Sequence, residues 1–155
     1  MKIGIDTNIF INLFESSEDL AKLRDVGFTI YTHPKCLWEM VKYVKTLELE
    51  DKYTEGVVMN FMKRNGILLV KDEAEKQEIQ DFEEKCKKAG IECHYPDSEI
   101  ILAFKKEGAE KVYSKDVNFR KAAGLLGMKS ERFEVGGVGR GVLEPSRARL
   151  GGGDF

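Results

Sequence analysis

The chain has 155 residues, 42% hydrophobic and 34% charged, the proportions of one globular domain with a highly charged surface. Its net charge is −2 and its pI about 5.8, which excludes a protein that coats nucleic acid non-specifically but leaves room for one local binding patch. No apolar run reaches the roughly 18–20 residues that cross a bilayer, and Asp6 interrupts the N-terminus before a signal-peptide core forms, so the expectation is a cytoplasmic protein with no membrane partner.

Residues 2–6 are short and isoleucine-rich and read as a buried strand with Asp6 at its C-terminal end. Thr7 and Asn8 lead into a helical turn over residues 9–14. Ser16 and Ser17 break it, and Ser17 followed by Glu18 and Asp19 reads as a capped helix start. Leu20, Leu23 and Val26 recur at helical spacing up to Gly27. Residues 28–32 are β-branched and aromatic, a second strand. Pro34 suits the first turn of a long helix, whose apolar face is Leu37, Trp38, Val41, Val44 and Leu47, with Glu39 early in it.

Residues 51–65 form an amphipathic helix, with Val57, Val58, Phe61 and Met62 inward. Residues 67–70 are a short strand. Residues 73–89 carry Ile79, Phe82 and Cys86 on one helical face and solvated charges on the rest. Pro96, Asp97 and Ser98 open another helix, which Gly108 closes. Residues 111–114 are a strand with Asp116 just past its end, residues 118–126 a helix, and residues 132–135 a last short strand. The domain therefore spans residues 1–135. Residues 136–155, glycine-rich with Arg140, Arg147 and Arg149, form a tail without apolar periodicity. Cys36, Cys86 and Cys93 have no disulfide spacing and read as reduced thiols; with His94 they match no zinc pattern.

Strands alternating with helices predict an α/β fold with a mainly parallel central sheet. Ligands of such sheets bind outside the carboxyl ends of the strands. Asp6, Glu39 and Asp116 lie at or just after strand ends, and Asp97 heads a helix that precedes a strand, so four acids can converge at one edge. Two carboxylates about 4 Å apart repel by roughly 4 kcal/mol at an effective dielectric near 20. A gathered set needs protons or a cation, and oxygen ligands without histidine suit Mg²⁺ or Mn²⁺ better than zinc.

These segments resemble the motifs of PIN-domain proteins. Asp6 with Thr7 and Asn8 looks like the family's opening motif, and Glu39 within Trp38-Glu39-Met40 like its second acid. Asp97 within Pro96-Asp97-Ser98 is similar to the third acid. Ser114-Lys115-Asp116-Val117-Asn118-Phe119 is similar to the fourth motif, with Asn118 where many members carry a further acid, leaving a quartet rather than a quintet. The resemblance covers residues 2–135 and implies a three-layer α/β/α fold and a metal-dependent endoribonuclease. On it, Asp6, Glu39, Asp97 and Asp116 are the catalytic and metal-ligating residues for Mg²⁺ or Mn²⁺, directly or through water. Thr7, Asn8, Ser114 and Asn118 support them through hydrogen bonds. Expected partners are RNA, an antitoxin or other protein, and a second copy in a homodimer. The versions are a toxin of a toxin–antitoxin pair and an RNA-processing enzyme.

The plainer readings stand beside these. Asp6, Asp97 and Asp116 each suit a helix N-cap or turn, and Glu39 a solvated helix position. Lys115, Arg120 and Lys121 are either phosphate contacts or ordinary surface charges. Trp38 and Tyr113 read as core rather than as stacking platforms, and His33 and His94 have no evident partner. The alternatives are a catalytically weak or inactive module of the same fold that binds RNA or protein, and a related nuclease acting on DNA or flaps.

Overall fold

The computed structural model describes residues 1–47 and 51–132. The expected tail, residues 136–155, and the boundary at residue 135 lie outside the described residues. Among the described residues five strands form one sheet: β1 (Lys2–Ile5), β2 (Thr29–Thr32), β3 (Leu68–Leu69), β4 (Lys111–Tyr113) and β5 (Lys129–Glu131), in the order β3-β2-β1-β4-β5 with every pairing parallel. Among the described residues seven helices accompany them: α1 (Thr7–Glu15), α2 (Ser17–Asp25), α3 (Pro34–Lys45), α4 (Asp51–Asn65), α5 (Lys76–Lys88), α6 (Asp97–Glu107) and α7 (Val117–Leu125).

The alternation of side chains along a strand sorts the interior into two cores. Ile3 and Ile5 of β1, with Ile30 and Tyr113, face α1–α4 and their buried Phe10, Leu13, Leu23, Met40, Val44 and Phe61. Tyr31 and Val112 face the opposite side, where Phe82, Ile101, Phe104, Phe119 and Ala122 of α5, α6 and α7 cover them. The result is the expected three-layer α/β/α arrangement. Gly4, in register with Tyr31 and Val112, faces this second layer. A Cβ there would sit 2.6 Å from ring atoms of Phe104, so only glycine lets α6 close on the central strand. That contact fixes where the N-terminus of α6 emerges.

Several local expectations are corrected. The hydroxyl that caps α2 belongs to Ser16, whose Oγ accepts from the Asp19 N–H, and not to Ser17. Val26 falls past the end of α2 and is exposed. Trp38 and Leu47 leave the expected apolar face of α3: Trp38 is 55% exposed, and Leu47 lies beyond the helix end in solvent. Lys129–Glu131 forms a strand that the sequence reading did not expect, while the strand expected over residues 132–135 falls, from residue 133 on, outside the described residues. β5 is a polar edge strand that pairs with β4 through its backbone and carries no apolar signal. The three cysteines are free and buried.

Candidate active site

β1 is the point where the order of the sheet reverses. The chain leaves it for β2 on one side and returns to β4 on the other. Beyond the carboxyl ends of strands that diverge in this way lies a crevice that no crossover helix covers. Here that crevice is a pocket of about 190 Å³ lined by Asp6, Thr7, Asn8, Cys36, Glu39, Asp97, Ile100 and Asp116. All four acids singled out from the sequence line it. They come from the end of β1, the second turn of α3, the first residue of α6 and the turn after β4.

Local structure holds each acid in place. Asp6 is the N-cap of α1: its Oδ1 accepts from the Ile9 N–H at 3.3 Å, and its Oδ2 accepts from the Ser114 hydroxyl. Asp116 is the N-cap of α7, with Oδ1 accepting from the N–H groups of Asn118 at 2.8 Å and Phe119 at 3.3 Å. The capping and site readings of these two residues are therefore compatible, since in each the carboxylate caps a helix while lining the pocket. The Thr7 hydroxyl donates to Glu39 Oε1 and links α1 to α3. Asp97 begins α6 after the cis Tyr95–Pro96 bond.

Ser114 and Asn118 do not line the pocket. Ser114 is fully buried behind it. Its Oγ donates to Asp6 and accepts from the Asp116 N–H at 3.0 Å, so one hydroxyl ties two of the acids together. Asn118 contributes its backbone N–H to Asp116.

The electrostatics fit a crowded acidic site. Burial pushes the Asp6 carboxyl up to about 6, against the hydrogen bonds from Ser114 and Ile9, and the charges of Asp97 and Asp116 push it further the same way. Asp97 is raised by burial and then by Asp116 and Glu39. Cys36 shares the pocket, but burial pushes its thiol up to about 12 and keeps it protonated, neither a nucleophile nor a ready metal ligand. The donors that remain are carboxylate and hydroxyl oxygens, the set preferred by small hard divalent cations. Among the described residues, no three His, Cys, Asp or Glu side chains form a group already arranged to hold an ion.

Two of the three cationic candidates are otherwise engaged. Lys115 Nζ donates to Asn12 Oδ1 at 3.2 Å, and Arg120 Nη1 donates to the Ser114 carbonyl at 2.7 Å, where it braces the fourth motif. Tyr113 is buried, as expected. His33 does have a partner that spacing could not reveal: its Nδ1 accepts from the Lys35 N–H at 3.0 Å and caps α3. Glu99 was missed altogether. It is buried two residues beyond Asp97, with the Lys35 ammonium 3.4 Å from its Oε1.

No protein-family profile matches the chain, and no curated protein matches it in sequence. Solved structures do match in shape. VapBC2 from Rickettsia felis, described as bound to a DNA fragment from their promoter, aligns with a TM-score of 0.62 at 16% identity, over 86% of this chain and 100% of that one. VapBC-1 from nontypeable Haemophilus influenzae aligns with a TM-score of 0.61 at 14% identity, over 85% of this chain and 98% of that one. FitAcB from Neisseria gonorrhoeae aligns at 0.52 and 16% identity, over 83% and 95%. The chain has the PIN-domain fold. In this PIN fold the acidic pocket sits at the carboxyl edge of the central strands, and α1, α3, α6 and the turn before α7 each bring one wall to it. No helix among the described residues is long and apolar enough to cross a membrane.

Proposed function

We propose that the chain is a metal-dependent endoribonuclease, with Asp6, Glu39, Asp97 and Asp116 as its catalytic carboxylates. The observation that carries the reading is their meeting in one small pocket at the switch point of the sheet, from four segments spread over 110 residues of sequence. Mg²⁺ or Mn²⁺ would be held there by one or two of the carboxylates, with water and substrate phosphate completing its shell, which is the usual habit of Mg²⁺ in phosphate chemistry. Such an ion supplies positive charge for the scissile phosphate and makes an attacking water more acidic.

The chain's own residues do the positioning. Ser114 holds Asp6 and the Asp116 backbone in one network, and Thr7 steadies Glu39. Burial keeps Cys36 a neutral thiol, and the hydrolytic reading takes water as the nucleophile. Attack breaks the bond from phosphorus to the 3′ oxygen and leaves 5′-phosphate and 3′-hydroxyl ends. Of the two versions, the likeness to VapBC and FitAcB toxin–antitoxin assemblies favours a toxin with an antitoxin partner in the cytoplasm over a processing enzyme.

One observation favours a second reading. The acids are not drawn into a ready-made ion-holding group, and Asn118 supplies no charge, which suits a catalytically weak module that binds RNA or protein. One experiment separates the two. Purified protein is incubated with a panel of single-stranded RNAs in Mg²⁺, Mn²⁺ or EDTA, beside Asp6→Asn and Asp116→Asn. Cleavage that needs metal and vanishes in both variants is the expected result. Equal inertness of wild type and variants, together with no metal binding, would hand the chain to the second reading.

A further inference from the structure

The outer face of α3 carries a pattern that the pocket does not use. With about 100° of turn per residue, Lys35, Trp38, Lys42 and Lys45 fall within an arc of about 80°. This arc lies opposite Leu37, Met40, Val41 and Val44, which α3 buries. Trp38, Lys42 and Lys45 are all exposed. Trp38 is the only tryptophan of the chain and is 55% exposed, although burying an indole is among the larger gains a side chain offers a fold. Glu39, itself part of the pocket wall, borders this stripe, with Lys42 one turn further along the helix.

The near end of the stripe runs into the pocket rim. The Lys35 ammonium sits 5.0 Å from the centre of the Tyr95 ring as well as beside Glu99, and Tyr95, itself exposed, stands two residues before Asp97. Lys35 is thus tied down. The remaining positive charge of the stripe comes from the exposed Lys42 and Lys45.

We infer that this face of α3 is the track along which single-stranded RNA enters the acidic pocket, with a base stacked on Trp38 and the flanking phosphates on Lys42 and Lys45. The inference rests on the nuclease reading and deepens it by assigning the binding surface. Three features choose this occupant. An aromatic side chain set among cations is the arrangement that holds unpaired nucleic acid, because any base can stack on the ring while the cations follow the backbone. The stripe is continuous, through Glu39 and Tyr95, with the pocket where a phosphate is to be cut. A partner helix, by contrast, would want several apolar anchors at i, i+3, i+4 and i+7, and this face offers Trp38 alone. A duplex fits poorly, because its bases are stacked on each other and closed to an aromatic ring.

Trp38 reports on its own occupancy. In EDTA, where the RNA stays intact, titration with single-stranded oligonucleotides is expected to quench its fluorescence, and a duplex of the same sequence to leave it nearly unchanged. Trp38→Ala is expected to weaken binding about 5- to 100-fold by fluorescence anisotropy, and Trp38→Phe to recover most of it. The Lys42→Glu, Lys45→Glu double variant should weaken binding and flatten its salt dependence by about 1.4 in the logarithmic slope, at about 0.7 per lost phosphate contact. Circular dichroism checks that each variant folds. Wild-type protein that binds or cleaves RNA while Trp38→Ala binds equally well overturns the track and leaves the nuclease reading standing. RNA binding that depends on Trp38 in a protein that never cleaves keeps the track and removes the nuclease. Emission that changes with protein concentration or with an added protein, and not with RNA, assigns the face to a protein interface and overturns the proposal.

Discussion

Asp6 shows how much conflict one residue of this site absorbs. Its carboxylate is buried, caps α1, accepts from Ser114 and lies within the field of two other acids, and burial dominates, lifting its pKa from 3.8 to about 6. A carboxyl whose folded pKa lies above its unfolded value binds its proton more tightly in the folded state. It therefore favours folding at low pH, and that contribution disappears as pH rises through about 6. Asparagine is as good an N-cap as aspartate but carries no charge. In EDTA, Asp6→Asn is expected to raise stability at about pH 8 by of order 1–3 kcal/mol, at roughly 1.4 kcal/mol per pK unit, and to change it little at about pH 4. Urea unfolding at the two pH values checks this, and a variant less stable than wild type at the higher pH would defeat it. In the sequence, the placing of Asp6 and Asp116 at the carboxyl edge of the sheet was legible because each follows a β-strand pattern and heads a helix. The network through Ser114 was legible only as a resemblance, since no spacing rule links positions 6 and 114. Trp38 was misassigned because Leu37 and Trp38 are adjacent in an apolar run, while one step along a helix turns the side chain by about 100°, enough to move it from core to solvent.

Gly4 matters at the scale of elements. β1 lies against α6 so closely that the ring of Phe104 occupies the space a Cβ would need, at 2.6 Å. Phe104 is fully buried and has nowhere open to swing. Gly4→Ala is therefore expected to destabilise the fold by about 1–3 kcal/mol, the usual cost of overpacking. It should also lower cleavage, because α6 carries Asp97 at its N-terminus and cannot shift without moving that acid. Thermal unfolding together with metal-dependent cleavage at a temperature where the variant is folded checks both halves. Unchanged stability would mean that α6 has slack the packing does not suggest. The helices were well legible, since each has an apolar period and a cap or a glycine stop. Short, polar β5 was not. An edge strand that contributes backbone hydrogen bonds and no buried side chain leaves no hydrophobic pattern to read.

For the molecule as a whole, two cores clamp one parallel sheet and leave its carboxyl edge open, so the fold supplies rigidity to a site that is itself electrostatically unfavourable. That arrangement was legible from the alternation of strands and helices, which dictates a parallel sheet, and the parallel sheet dictates the edge at which the acids gather. What pattern could not supply is which carboxylates are held by hydroxyls and which face the open pocket, because that depends on contacts between distant segments. A cation that binds the gathered acids of the folded chain, and finds them dispersed when the chain unfolds, must stabilise the fold by mass action. At about one hundred times its dissociation constant, Mg²⁺ or Mn²⁺ should add about 2.7 kcal/mol, or roughly 5–10 °C in Tm for a domain of this size. Protons compete for the same oxygens on Asp6, raised to about 6, and on Asp97, raised by burial and by the charges of Asp116 and Glu39, so the metal-induced shift should be larger at about pH 8 than at about pH 5. Asp97→Asn should reduce it at both. Differential scanning fluorimetry with and without each ion reads all three effects. A Tm indifferent to millimolar Mg²⁺ and Mn²⁺ at the higher pH would mean that the acids balance their charge by holding protons, and the hydrolytic proposal would lose its cation.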